Sequence, residues 1–187
     1  MPPEKQKAGF VGKPAGPEVC IMDAQGNKLD SGVDGEVCIR GDNVTNGYEN
    51  NEEANKTAFI NGWFRTGDQG HFDDEGYLKI SGRLKEIINR GGEKVSPLEV
   101  DNTLMEHKAV EQVVTFAVKD NLLGEAIGVA IVLKSGIDCN ETDIKNYARK
   151  HLADFKIPKY IRFLKEIPKG ATGKLQRIGV AEKLGLE

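Results

Sequence analysis

No stretch of this chain approaches the roughly 18 consecutive apolar residues that a membrane-spanning helix requires. Met1 to Ala8 is polar and holds two prolines, so a secretory signal is not expected either. An excess of positive charge is missing as well: 26 Lys and Arg stand against 29 Asp and Glu, for a net charge of -3. That balance excludes the broad basic face by which proteins hold nucleic acid or anionic membranes. Cysteine is scarce. Cys20, Cys38 and Cys139 are odd in number, far apart in the chain and without paired metal spacing, which excludes a disulfide framework and a zinc site. A cytoplasmic protein, or one of an organelle matrix, fits this usage, and the terminal Gly-Leu-Glu is no peroxisomal address. No internal repeat or low-complexity segment is visible. Aromatic residues make up only 6% of the chain, and Trp63-Phe64 is its one strongly aromatic dipeptide.

What is present is a globular composition. With 187 residues, 39% hydrophobic and 29% charged, the chain is long enough for one good core or two small ones. From Phe10 to Gly41, short apolar runs (Glu18 to Met22, Glu36 to Ile39) alternate with turn residues at Ala24 to Asn27 and Val33 to Gly35, a pattern of hairpins. Asn43 to Phe59 is polar and asparagine-rich, with a short helical turn expected over Asn50 to Asn55. A further hairpin is expected from His71-Phe72, through the turn Asp73 to Gly76, to Tyr77 to Ile80. Downstream, Glu86 to Arg90 and Glu93 to Val95 read as two strands joined by Gly91-Gly92, a tight turn that needs positive φ.

Ser96-Pro97-Leu98-Glu99 then carries every mark of a helix start: Ser as N-cap, Pro at the first position and Glu placed to close a capping box. This helix is expected to reach about Glu106. Val113 to Val118 and Ala126 to Leu133 are nearly unbroken apolar runs, as expected of strands buried on both faces. Ile144, Tyr147, Ala148 and Leu152 follow helical spacing behind Asn140 or Thr142 as cap. A strand over Tyr160 to Leu164, a flexible loop over Gly170 to Gly173 and a terminal helix over Gln176 to Leu184 complete the expectation. The fold class is α+β: a β-rich hairpin or barrel-like segment over residues 1–84, then a small α+β domain over 85–187 with a central, mainly antiparallel sheet flanked by helices.

Around the stretch Ser81 to Val95, which holds Arg83, Lys85 and the Gly91-Gly92 turn, four signatures occur in order: Gly62-Trp63-Phe64-Arg65-Thr66-Gly67-Asp68; Gly76-Tyr77-Leu78-Lys79-Ile80; Ser96-Pro97-Leu98-Glu99-Val100; and Pro168-Lys169-Gly170-Ala171-Thr172-Gly173-Lys174-Leu175-Gln176-Arg177. Together they resemble the C-terminal part of the AMP-forming acyl-CoA synthetases, in the adenylate-forming superfamily, over about Gly12 to Arg177. The Asn89 to Val100 wording is most similar to the oxalyl-CoA synthetase and peroxisomal CoA-synthetase branch. It departs from the plant coumarate-type ligases, where Asn89 and Gly91 would be lysines.

The resemblance implies an ATP-dependent acid-thiol ligase, with ATP and AMP as nucleotides, Mg2+, coenzyme A as co-substrate and a small carboxylic acid as substrate. Joining a carboxylate to a phosphate brings two anions together, so a cation must bridge them, and Lys174 matches the family's catalytic lysine. Read alone, Lys174 would be one more solvated loop lysine. The Gly170 to Lys174 run is no P-loop, because the glycine spacing is too short and Leu175 stands where Ser or Thr should hold magnesium. Asp68 and Arg83 match the ribose-binding pair, Lys85 the hinge, and Gly91 with Gly92 the contact to the coenzyme A thiol arm; the plainer readings are a turn carboxylate for Asp68 and a structural ion pair for Arg83.

His71, His107 and His151 lie on separate elements without ligand spacing, and no metal site of the chain's own is expected. The resemblance further implies that residues 1–84 are the end of a larger N-terminal adenylation domain. That larger region would carry the phosphate loop, the acyl pocket and most of the Mg2+ binding, so this polypeptide alone is expected to be inactive. Two other readings are a luciferase-like or carrier-protein-loading enzyme, and a non-catalytic module binding a nucleotide or partner. Lys85 counts against the peptide-synthetase subtype, which carries aspartate at the hinge.

Overall fold

The computed structural model describes residues 6–169 and 175–186. The chain divides into two compact units, Met1–Lys85 and Glu86–Glu187.

The first unit is built on a five-stranded antiparallel sheet. Strand β1 (Glu18–Met22) pairs with β2 (Gly35–Arg40) in a register that sets Cys20 opposite Cys38. Helix α1 (Glu52–Ala58) starts two residues later than Asn50 because Asn51 is its cap: the Asn51 Oδ1 accepts from the Ala54 N–H at 3.1 Å. Strand β3 (Phe59–Ile60) leads into β4 (Trp63–Phe72), the spine of the sheet. One edge of β4 takes β2; the other takes β3 at its start and β5 (Leu78–Arg83) at its end. Trp63 is buried with Cys20, Met22 and Cys38, and the Lys28 ammonium and Arg40 guanidinium lie over its ring at 4.8 and 4.5 Å.

A one-turn 3-10 helix, Leu84–Glu86, runs from the last two residues of the first unit to the first residue of the second. This corrects the expected strand, which begins at Ile88 rather than Glu86 because the 3-10 turn takes up the preceding residues. Strands β6 (Ile88–Arg90) and β7 (Glu93–Val95) form the Gly-Gly hairpin. Helix α2 (Pro97–Met105) follows, its Ser96 Oγ accepting from the Glu99 N–H at 3.4 Å. Strands β8 (Val110–Asp120) and β9 (Gly124–Leu133) pair along their whole length.

Helix α3 (Glu141–His151) carries a closed capping box in which Asn140 accepts from the Asp143 N–H and the Asp143 carboxylate accepts from the Asn140 N–H. Strand β10 (Tyr160–Phe163) then joins β9 in parallel, the one parallel pair among the described strands. The free edge of β9 is therefore shared by β10 and by β6 at Gly124.

Alternation of side chains along β8 and β9 builds a core on each face of this sheet. Val113, Ile127, Val129 and Ile131 face α2 and α3, where Val100, Leu104, Ile144 and Ala148 are fully buried. Val114, Phe116, Val118 and Ala130 face the other way, onto Ile167 and Val180. Each such Ile or Phe contributes about 1.5–3 kcal/mol by leaving water. The terminal helix α4 is only Val180–Lys183, shorter than the expected Gln176 to Leu184. Gly179, at φ +79, holds the left-handed conformation just before it, which no continuous right-handed helix can pass through. The α+β class and the mainly antiparallel central sheet are as the sequence implied.

Candidate functional site

Asp68 and Arg83, fifteen residues apart in the chain, are register partners on β4 and β5. The Arg83 Nε donates to Asp68 Oδ1 at 2.8 Å, and the two side chains remain 52% and 28% exposed. A pair that is closed on itself yet open to solvent can turn one carboxylate and one guanidinium toward a third group. The register slips between Gln69 and Gly70, immediately beside Asp68. Gly70 is required there: a Cβ would sit 2.3 Å from the Lys79 carbonyl oxygen of the neighbouring strand.

Asp68 is held by a brace that local sequence did not reveal. The buried Glu36 carboxylate accepts from Arg65 Nε at 2.7 Å and from the Gly67 N–H at 3.1 Å. The Thr66 hydroxyl donates to the Val37 carbonyl at 2.7 Å and accepts from the Asp68 N–H at 3.1 Å. The backbone from Arg65 to Asp68 is thus tied to β2 through side chains at both ends. Glu36 is the only carboxylate in the apolar run of β2, and that isolation is the one signal that could have marked it.

Lys85 stands exposed in the 3-10 turn, the last residue of the first unit. Lys174 lies outside the described residues. Its flanks are described: Lys169 and Leu175 form an isolated antiparallel bridge. Beyond it the Arg177 guanidinium reaches Glu86 Oε2 at 3.1 Å, Asp101 Oδ2 at 2.5 Å and the Thr115 carbonyl at 3.1 Å.

The Gly91-Gly92 turn has φ values of +62 and +95, as the hairpin required. Gly91 N–H donates to the Leu123 carbonyl at 2.8 Å, docking this turn on the turn between β8 and β9. Asn89, where coumarate-type ligases would carry lysine, closes the turn from within: its Oδ1 accepts from the Gly92 N–H at 3.1 Å, while its own N–H donates to Glu125 at 2.6 Å. The neighbouring turn is equally rigid. Asp120 Oδ1 accepts from the N–H groups of Leu122 and Leu123 at 3.0 and 3.1 Å, and Lys159 donates to its other oxygen at 2.6 Å. The Lys159 hydrogen bond, followed by those two amides, holds the Asp120 carboxyl down at a pKa of about 2.

Other side chains find plainer employment. Glu99, beyond its place in the α2 cap, binds the Lys156 ammonium at 2.6 and 2.7 Å. His107 and His151 both pack on the Tyr147 ring, at 5.0 and 4.3 Å between centroids, a convergence that chain separation hid. Burial holds the His107 imidazole below its ordinary range. Among the described residues no three His, Cys, Asp or Glu side chains stand close enough together to hold a metal ion, and no helix is long and apolar enough to cross a membrane.

Comparison with known proteins gives a consistent result. Residues 99–174 match the AMP-binding enzyme C-terminal domain. The chain is 52% identical over 176 residues to a probable CoA ligase of Humulus lupulus, covering 94% of this chain and 34% of that protein. It is 50% identical over 184 residues to the oxalate-CoA ligase of Saccharomyces cerevisiae, covering 97% of this chain and 34% of the relative. The crystal structure of ATP-bound MatB from Rhodopseudomonas palustris superposes with a TM-score of 0.91 at 29% identity, over 97% of this chain and 37% of the other. The chain therefore spans about a third of the length of the relatives it matches.

Proposed function

We propose that the chain, whose residues 99–174 match the AMP-binding enzyme C-terminal domain, is part of an ATP-dependent acid-CoA ligase. The observation that carries this reading is the likeness, at 50–52% identity over nearly the whole chain, to two CoA ligases. In the first half-reaction a carboxylate oxygen attacks the α-phosphorus of ATP and pyrophosphate leaves. In the second the coenzyme A sulfur, having given up its proton, attacks the acyl carbon and AMP leaves.

Each residue has a part in this scheme. Lys174 supplies the ammonium that offsets the two anions meeting in the first step. Asp68 and Arg83 hold the ribose, the carboxylate accepting from a hydroxyl and the guanidinium donating to one; their solvent-open pairing at 2.8 Å supports that role. Lys85 is the residue about which the second unit turns between the half-reactions, and its exposure means that a change of its dihedrals breaks little packing. Gly91 and Gly92 offer side-chain-free backbone to the thiol arm, in a turn locked by Asn89. Residues 1–84 are the end of the large adenylation domain and residues 85–187 the small mobile domain. Mg2+ accompanies the nucleotide when bound and neutralises phosphate charge; no residue described here is assigned to it. The coenzyme A and carboxylic acid substrates belong to the same proposal.

The test is Lys174→Ala in the complete polypeptide. Carboxylate-dependent exchange of pyrophosphate into ATP should be lost, while transfer from supplied acyl-adenylate to coenzyme A continues. Undiminished exchange would instead support the non-catalytic module.

A further inference from the structure

The Arg177 side chain hydrogen-bonds to three separate stretches of the second unit. Its Nε donates to Glu86, at the end of the 3-10 turn and one residue after Lys85. Its Nη1 donates to Asp101 on α2 and to the Thr115 carbonyl on β8. Asp101 is itself used twice, since its other oxygen accepts from the Thr115 N–H at 2.7 Å. The Asp101 and Arg177 side chains are only 11% and 18% exposed.

Such a cluster is a poor device for stability. Desolvation of both ions largely offsets their attraction, and apolar residues of the same shape would hold these elements as well. Burial pushes the Asp101 carboxyl up against the opposing pull of Arg177 and Thr115. What a buried, directional ion pair adds is a single permitted position. The position held here is that of residues 175–177, directly after Lys174, relative to Glu86, directly after Lys85. The Lys169 and Leu175 bridge secures the same segment from its other side.

We infer that Arg177 is a positioning residue for the adenylation step, clamping the chain that follows Lys174 to the chain that follows the Lys85 hinge through Glu86 and Asp101. This rests on the reading of Lys174 given above. Because the clamp acts through Lys174, its loss lowers the first half-reaction and spares the second.

The experiment uses the complete polypeptide with three changes: Arg177→Lys, the charge-neutral pair Asp101→Asn with Arg177→Gln, and that pair combined with Lys174→Ala. The neutral pair removes the two most buried charges together and leaves Glu86, 23% exposed, as the one carboxylate of the cluster to turn to water; retention of the fold is checked by the melting temperature. Adenylation kcat should fall about 10- to 100-fold in the neutral pair, with KM for ATP and the acid near the parental values. Arg177→Lys, which keeps one charge but loses the fork, should fall between. Transfer from supplied acyl-adenylate should stay within about two-fold, and adding Lys174→Ala to the neutral pair should leave adenylation no lower than Lys174→Ala alone. A folded neutral pair with unchanged adenylation, an equal loss in both half-reactions, or losses that multiply with Lys174→Ala would each overturn the inference. If Lys174→Ala by itself leaves adenylation intact, the reading of Lys174 fails and takes this inference with it. If Lys174→Ala is dead and the neutral pair fully active, only the role of Arg177 is refuted.

Discussion

Replacing Gly128 by alanine should destabilise the second unit although the backbone there is ordinary strand. Gly128 sits in the middle of β9, opposite Phe116 on β8 and Tyr160 on β10. A Cβ would lie 2.6 Å from Phe116 Cε2, 3.0 Å from Phe116 Cζ and 2.8 Å from Val118 Cγ2. Carbon pairs prefer about 3.5–4.0 Å, so all three contacts are repulsive. The ring cannot swing outward, because Phe116 is 1% exposed and is packed against Ile167 and Val180.

Overpacking of this kind costs about 1–3 kcal/mol. Alanine regains about 0.5–1 kcal/mol over glycine through chain entropy in a strand, leaving a net loss of about 0.5–2 kcal/mol. With an m-value of about 2 kcal/mol/M in urea, the midpoint should drop by about 0.3–1 M. Far-UV circular dichroism reports both units together, and the part of its transition contributed by the second unit should move to the lower midpoint. Trp63, the only tryptophan, lies in the first unit, and its fluorescence should keep the parental midpoint. Phe116→Leu removes the two ring atoms in the clash, so the double variant should recover about 1 kcal/mol relative to the sum of the single changes; Val118 remains in the way and makes the recovery partial. Strict additivity, within about 0.3 kcal/mol, would refute the packing explanation.

Three further outcomes follow from the geometry. The Asp120 carboxyl, depressed to about 2 by Lys159 and two amides, lies below its unfolded value of about 3.9, so its stabilising contribution is present above that value and is lost as pH falls from about 4 through 2. A carboxyl-carbon NMR titration should show the low midpoint, and Lys159→Met should raise it. In the native chain an aromatic disulfide reagent should label Cys139 alone, with Cys20 and Cys38 reacting only in denaturant. Both are buried, and burial, followed by the nearby Glu36, pushes the Cys38 thiol up to about 12, so rapid native labelling of more than one thiol would contradict the structure. Gly91→Ala places a side chain at φ +62 and its Cβ 3.0 Å from Leu123 Cδ2, a strain of about 1–2 kcal/mol. In the complete polypeptide it should raise KM for coenzyme A and leave pyrophosphate exchange unaltered; an unchanged KM would remove the turn from the thiol path.

Local order was legible wherever its cause is local. Ser96-Pro97 and Asn140 with Asp143 start helices with hydrogen bonds made within three residues, so their signals survive in any short window. The apolar runs of β8 and β9 announced strands buried on both faces, and Gly91-Gly92 announced a turn with positive φ. Misreadings fell at element ends. The 3-10 turn displaced the start of β6, and Gly179 shortened α4 to four residues. The side chains around Asp68 were visible as a motif, but the Glu36 brace was not, since it joins β2 and β4 across 29 and 31 residues.

By itself, then, the amino-acid sequence determined the hairpins, the helix caps, the two-faced central strands and the motif order from Trp63 to Arg177. Those follow from side-chain periodicity and from backbone preferences of single residues. Strand register and closure decided the rest: Cys20 set opposite Cys38, Asp68 bonded to Arg83, Asn89 capping a turn docked on Leu123, and Arg177 meeting Glu86 and Asp101 from 91 and 76 residues away. Contacts at such separation form only when the intervening chain has already folded, because their energy must exceed the entropy of closing the loop between them, and no local pattern of residues encodes that balance.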